Sequence, residues 1–177
     1  MEPALAEFLY SRYGAAEAGR IAKRWSRAFS VDPGAQALPR VPQRHQEYDD
    51  LLQLFLEQAV DAHESTRAVA RWIAFSCMGE NHLWEDLGLS DRPELTRLIA
   101  DRFPRLREHN AANMRWKKFL YKQLCERGEV FACRSPSCDL CSEYALCFGP
   151  EPPTADESTA NKVELTSRNR ESEVAGS

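Results

Sequence analysis

Cys133, Cys138, Cys141 and Cys147 place four of the chain's six cysteines in one short run, CRSPSCDLCSEYALCFG. The intervals are four, two and five residues. A thiolate is a soft ligand, so four of them together select zinc, copper(I) or an iron–sulfur cluster. Structural zinc sites usually take two close pairs separated by a longer stretch, so that two turns clamp one ion. Here all four thiols share one continuous segment with no room for a second arm. A cuboidal cluster suits such a loop better, because its metal corners are spread apart and the backbone can wrap it, donating one thiolate to each. The first three positions repeat the C-x4-C-x2-C run of plant-type ferredoxins, although there the fourth ligand is distant. Ser135, Pro136 and Ser137 keep the segment tight and leave space for a bulky inorganic body. The spacing favours iron–sulfur over zinc; zinc, and behind it copper and disulfides, stay open.

Cys77 and Cys125 lie among apolar neighbours in helical patterns and read as buried thiols, small hydrophobes and not ligands. The four histidines form no helix-spaced pair of the kind a zinc enzyme needs. His82, in GENHLWEDLGLS, reads as lying in a short non-helical stretch, and His109 as opening a basic helix. Either is a possible extra ligand at a metal corner, weighed against a hydrogen-bonded structural role. Between Arg102 and Arg127 there are eight Lys or Arg and two acids. Within that run Arg115, Lys117, Lys118 and Lys122 come directly before the cysteine segment. They are candidates to offset an anionic cluster, attract an oxyanion or dock an acidic partner; the competing reading is a solvated helix face. No nucleophile elbow, phosphate-binding glycine loop or paired-carboxylate motif is present.

The elements that must position these residues are helical almost throughout. Leu5, Phe8 and Leu9 share one face, with Gly14 as a stop; Ala18, Ile21, Trp25 and Phe29 follow at steps of three and four. Pro33, Pro39 and Pro42 mark an irregular connection. The period resumes from Gln43 to His63 with Tyr48, Leu51, Leu52, Phe55, Leu56 and Ala59. A helix from Ser65 to Met78 buries Val69, Trp72, Ile73 and Phe75 and stops at Gly79. In LSDRPELTRLIADRF, Asp91 is a cap, Pro93 falls in the first turn, and Leu95, Leu98, Ile99 and Phe103 make the apolar side. After Pro104 the stretch RLREHNAANMRWKKFLYKQLCERG reads as the last long helix, with Met114, Trp116, Leu120, Tyr121 and Leu124 toward the core and Gly128 as the stop. No alternating strand stands out. The expected fold is all-α: one compact helical domain over 1–149, closed by the cysteine loop 133–147, then a disordered polar tail over 150–177.

Composition agrees with a globular protein at 43% hydrophobic and 28% charged residues. A net charge of -4 gives no general reason to expect nucleic acid or membranes as partners. The start, MEPALAEFLYSRYG, lacks a basic segment followed by an apolar core, so no secretory signal is expected. That favours the cytoplasm, where clustered thiols are metal ligands more often than disulfides.

NHLWEDLGL, then MRWKKFLYKQLCERG, then C-x4-C-x2-C-x5-C followed by FG, resembles the NifQ family over roughly 81–149. The resemblance implies a protein of nitrogen fixation that carries a molybdenum–iron–sulfur cluster and supplies molybdenum for the nitrogenase iron–molybdenum cofactor. It implies the NifEN scaffold and the nitrogenase Fe protein as partners, molybdate or another molybdenum source as supply, and Cys133, Cys138, Cys141 and Cys147 as cluster ligands. On this reading the chain is a carrier and assembly protein without catalytic turnover. The alternatives are a zinc-stabilised helical interaction module and a cluster-bearing DNA-repair glycosylase. The latter has four cysteines at C-x6-C-x2-C-x5-C but needs a helix–hairpin–helix motif that this sequence lacks.

Overall fold

The computed structural model describes residues 1–29, 45–128 and 144–148. Among them every regular element is a helix and there is no strand. In chain order they are α1 (Pro3–Phe29), α2 (His45–Glu57), α3 (Glu64–Ser76), α4 (Leu83–Asp86), α5 (Arg92–Arg102), α6 (Pro104–His109), α7 (Trp116–Arg127) and α8 (Tyr144–Phe148). The chain divides into two compact units, Met1–Cys141 and Ser142–Ser177. The first holds α1 to α7; α8 is the described part of the second. The expected tail beyond residue 149 lies outside the described residues.

α3 is the centre of the first unit. Its buried residues run from Thr66 through Ala68, Val69, Ala70, Trp72, Ile73, Ala74 and Phe75 to Ser76, around most of its circumference. A helix apolar on nearly all sides must be covered on nearly all sides, and α1, α2 and α4 pack against it. α1 covers it with two arms. Gly14, at φ 73 and ψ 165, breaks the helical path, which an L side chain would resist. The first arm buries Leu5, Phe8 and Leu9 and the second Ala18, Ile21 and Trp25. Trp25 meets Phe75 edge-on at 5.9 Å and Phe29 lies 4.8 Å from the same ring. The indole N–H of Trp25 donates to Ser76 Oγ at 3.2 Å, so the polar tip of a buried aromatic is satisfied.

α2 is shorter than its apolar period suggests. It ends at Glu57, and its buried residues are Leu51, Leu54 and Phe55, while Leu56 is exposed. A run with apolar residues at 51, 52, 54, 55 and 56 fits two helical phases; the observed one buries Leu54 and Phe55, the latter in contact with Phe103 at 4.9 Å between centroids. α5 follows expectation. The Asp91 carboxylate accepts from the Glu94 N–H at 2.7 Å, and Pro93 sits in the first turn. Substituting Asp91 by Ala should lower stability by about 1 kcal/mol, the usual value of such a cap, measurable as an earlier midpoint in urea.

The expected long helix after Pro104 is two helices. α6 ends at His109, so His109 closes a helix and does not open one. The buried Asn110 then clamps the next loop, donating from Nδ2 to the Met114 carbonyl at 2.9 Å and accepting the Met114 N–H on Oδ1 at 2.8 Å. Asn113 takes a positive φ of 56 in that loop, a conformation asparagine tolerates better than most residues. α7 starts afresh at Trp116.

Gly88 shows how closely α1 and the α4–α5 connection approach. At φ +74, a Cβ there would lie 2.6 Å from the Ile21 carbonyl oxygen and 3.0 Å from the Trp25 nitrogen. Only glycine fits without backbone movement.

Candidate metal centre

Of the four clustered cysteines, Cys147 lies among the described residues; Cys133, Cys138 and Cys141 lie outside them. Cys147 occupies α8, a single helical turn, with a half-exposed side chain and a free thiol. On the same turn Tyr144 and Phe148 stack at 4.4 Å with 21° between planes, the i,i+4 spacing placing both rings on one side. Cys77 is buried at the end of α3, 2% exposed, as a small apolar core residue should be. Cys125 is half-buried on α7. Among the described residues no three His, Cys, Asp or Glu side chains converge as a metal site. His82 and His109 therefore join no described ligand group. His82 is the N-cap of α4, and its backbone N–H donates to Glu85 Oε2 at 3.0 Å. The stretch that the sequence period reads as non-helical thus forms a short helix here. His109 is exposed at the end of α6.

The four cations preceding the cysteine segment occupy different environments. Lys118 and Lys122 are exposed, and Lys122 lies 3.6 Å from Glu126 one turn on. Arg115 is the half-buried N-cap of α7. Lys117 turns inward. Its ammonium donates to Asp86 Oδ2 at 2.5 Å and to the Gly79 carbonyl at 2.7 Å. Asn81 Nδ2 donates to the other Asp86 oxygen at 3.0 Å. The Asp86 side chain is 2% exposed and that of Lys117 19%. Gly79 closes the site, since a Cβ there would lie 2.4 Å from the Asp86 carboxyl carbon. Lys117 and Asp86 thus form a paired, hydrogen-bonded charge cluster at the edge of the core, the only form in which such charges are readily buried.

Sequence reasoning passed over Asp86. A signal was available: Asp86 shares the inward face of GENHLWEDL with Leu83 and Leu87, where an acid needs a partner.

α7 is tied down along its length. At its start the Trp116 indole donates to Thr96 Oγ1 at 3.1 Å. Trp116, Phe119 and Leu120 are buried beneath it. Further on, the Tyr121 hydroxyl donates to Glu47 of α2. At the end Arg127 pairs with Glu57 of α2 at 2.6 Å. The Glu57 carboxyl is held below its usual range by hydrogen bonds from Gln53 and then Arg127. A lowered carboxyl favours the fold above its unfolded value and loses that contribution as pH falls, so acid weakens this tie. Both side chains are exposed, which keeps the effect small. Beyond α7 the sequence passes Gly128 and reaches Cys133.

An all-helical unit whose last long helix leads in sequence to four clustered thiols defines a class: helical proteins with a C-terminal candidate cluster segment. The sequence model of the NifQ family matches residues 10–149, a span that contains all four cysteines. The chain belongs to the NifQ family. It is 44% identical over 108 residues to Protein NifQ of Azotobacter vinelandii, covering 61% of this chain and 55% of that one. It is 45% identical over 114 residues to Protein NifQ of Rhodobacter capsulatus, covering 64% and 63%. With Protein NifQ of Klebsiella pneumoniae the identity is 54% over 82 residues, covering 45% and 48%. The aligned part thus spans about half to two thirds of these relatives. No solved structure matches the chain. Among the described residues no helix is long and apolar enough to cross a membrane.

Proposed function

We propose that this protein is a metal-cluster carrier of nitrogenase cofactor assembly. It holds an iron–sulfur cluster containing molybdenum on Cys133, Cys138, Cys141 and Cys147 and passes molybdenum on toward the iron–molybdenum cofactor. The observation that carries the reading is the C-x4-C-x2-C-x5-C segment at the end of the span matched by the NifQ family. The donor chemistry fits: four soft thiolates suit iron–sulfur ligation, and the one described member, Cys147, is a free and accessible thiol. The cluster is cargo, so the protein's task is to hold it firmly enough to carry and loosely enough to release. No turnover chemistry is required of the chain. The partners on this reading are the NifEN scaffold and the nitrogenase Fe protein, with molybdate or another molybdenum source as supply, in the cytoplasm.

Metal analysis of anaerobically purified protein tests this directly. Iron, sulfide and molybdenum in fixed ratio per chain, with broad visible absorption, is the expected result. Stoichiometric zinc without visible absorption would replace the reading with a zinc-stabilised module.

The exposed cations of α7 add a second test. Lys118 and Lys122 face solvent on the helix that precedes the ligand segment. Changing both to Gln should cost less than about 0.5 kcal/mol of stability, as surface substitutions do. On the carrier reading the variant keeps its iron but takes up less molybdenum or transfers it more slowly, and transfer by the wild type weakens as salt rises. The molybdenum-to-iron ratio and a transfer assay with purified scaffold and Fe protein measure both effects. Wild-type values in each would reduce these lysines to solubility.

A further inference from the structure

We infer that the outer face of the second arm of α1, lined by Arg20, Lys23, Arg24 and Arg27, is a docking surface for an acidic protein partner. The inference goes beyond the carrier reading and does not depend on the cysteine segment, because all of its residues belong to α1.

The pattern comes first. The four cations fall at i, i+3, i+4 and i+7, the spacing of a single helical stripe. The buried residues Ala18, Ile21 and Trp25 occupy the opposite stripe. At the rise of an α-helix the cations span about 10 Å. All four are exposed, the Arg20 and Arg24 side chains being 59% and 46% accessible. Glu17 is the one acid of this arm, and it pairs with both Arg20 and Arg24. Lys23 and Arg27 pair with no acid among the described residues.

Folding alone does not call for such a stripe. Elsewhere the cations are offset: Arg71 has Glu2 and Glu64 beside it, and Arg97 has Glu94. Like charges three and four residues apart repel and weaken a helix. The helix dipole favours cations in the last turn, which accounts for Arg27 and leaves the other three. The arm withstands the repulsion because its inner side is held. The Trp25 indole bonds Ser76, and Gly88 lets the α4–α5 connection lie against the backbone of Ile21 and Trp25. The cations therefore stand on a rigid support. Two are also partly ordered in advance: Arg20 Nε donates to Glu17 at 2.5 Å and Arg24 to the Gly88 carbonyl at 3.2 Å. Donors ordered in advance lose less entropy on binding.

The chemistry of the face favours carboxylates on a protein over other anions. A basic amphipathic helix at a membrane sinks its apolar side into lipid, whereas Ile21 and Trp25 are committed to the core. Proteins that hold single-stranded nucleic acid interleave aromatic side chains with their cations. Here the exposed residues among and beside the cations are Ala16, Gly19 and Ala28, which offer no ring. The net charge of -4 also works against long polyanions. Carboxylates need neither lipid nor stacking, since the guanidinium fork matches them directly.

The test titrates the full, anaerobically purified chain against a labelled alanine-based helical peptide with glutamates at i, i+3, i+4 and i+7. The same peptide with glutamines in their place is the blank, and fluorescence anisotropy is the readout. The glutamate peptide should bind, more weakly as salt is raised, and the glutamine peptide should not. Lys23→Gln with Arg27→Gln should weaken binding about fivefold or more. Lys118→Gln with Lys122→Gln, the same change of charge on α7, should leave it at the wild-type value. All four side chains are exposed, so both double variants should keep wild-type helix content by circular dichroism. Carbodiimide coupling, which joins a lysine amine to a carboxylate as an amide with loss of water, should attach the peptide at Lys23. No binding by the wild type, equal loss in the two double variants, or coupling spread over the exposed lysines would overturn the inference and leave the stripe as general surface charge. Tighter binding of duplex DNA or of phosphatidylserine vesicles, lost in the α1 variant, would overturn it in favour of a polyanion or a lipid surface. A preparation without iron that still binds the peptide at Lys23 upholds this inference while removing the carrier reading.

Discussion

Alanine at any one of Cys133, Cys138, Cys141 or Cys147 is expected to abolish cluster loading or reduce it severely, while alanine at Cys77 leaves it largely intact. A cuboidal cluster that lacks one of four thiolates exposes a metal corner to water, and the remaining three cannot close around it. Cys77 has a different part to play. It is 2% exposed at the end of the central helix, packed among apolar side chains. Its removal costs packing, about 1 kcal/mol for the atoms lost, and no ligand. Cys125, half-buried on α7, should behave as Cys77 does. Iron and sulfide per chain after anaerobic reconstitution are the measurements. Equal loss on changing Cys77 would transfer it from the core to the ligand set. Undiminished loading in any of the four clustered variants would remove that cysteine from it.

Lys117→Met should destabilise the metal-free protein by roughly 3–5 kcal/mol, the cost of leaving a buried charge without its partner. Asp86 is 2% exposed, so water cannot replace the ammonium. For a chain of this size that loss lowers the melting temperature by about 10 °C or more. Lys118→Gln, one residue on and exposed, should change it by less than about 0.5 kcal/mol. Adding Asp86→Asn to Lys117→Met should recover much of the loss, because the uncompensated carboxylate is then gone. Urea unfolding of the four proteins gives the comparison. Equal midpoints for Lys117→Met and Lys118→Gln would mean that Asp86 finds another counter-charge or stays hydrated.

Much of the helical architecture is local, and local chemistry made it legible. Asp91 followed by Pro93 and Glu94 announces a helix start, and the carboxylate makes the expected bond to the Glu94 N–H. Gly14 marks the break in α1. Where sequence reading went astray, a distant contact decided. In α2 two helical phases were equally apolar and both bury Phe55; packing against the other helices buries Leu54 and leaves Leu56 exposed. The break between α6 and α7 carries no Gly or Pro. It depends on the Asn110 side chain bonding both backbone groups of Met114, one of several local options open to asparagine.

The candidate ligand set was legible for the same reason as the caps. Four thiols within one short segment are a chemical statement that needs no fold, since thiolate softness and spacing are properties of the chain itself. The family, too, follows from the order of residues. What tertiary structure alone decided is the setting of the helix that precedes those thiols. In sequence, RWKK is a run of adjacent cations; folded, Lys117 is drawn inward while Lys118 stays in water. The physical reason is distance along the chain. Asp86 and Lys117 are separated by 31 positions, and no period or motif couples them. Their attraction acts only after α4 and α7 have been brought together and the water between them expelled.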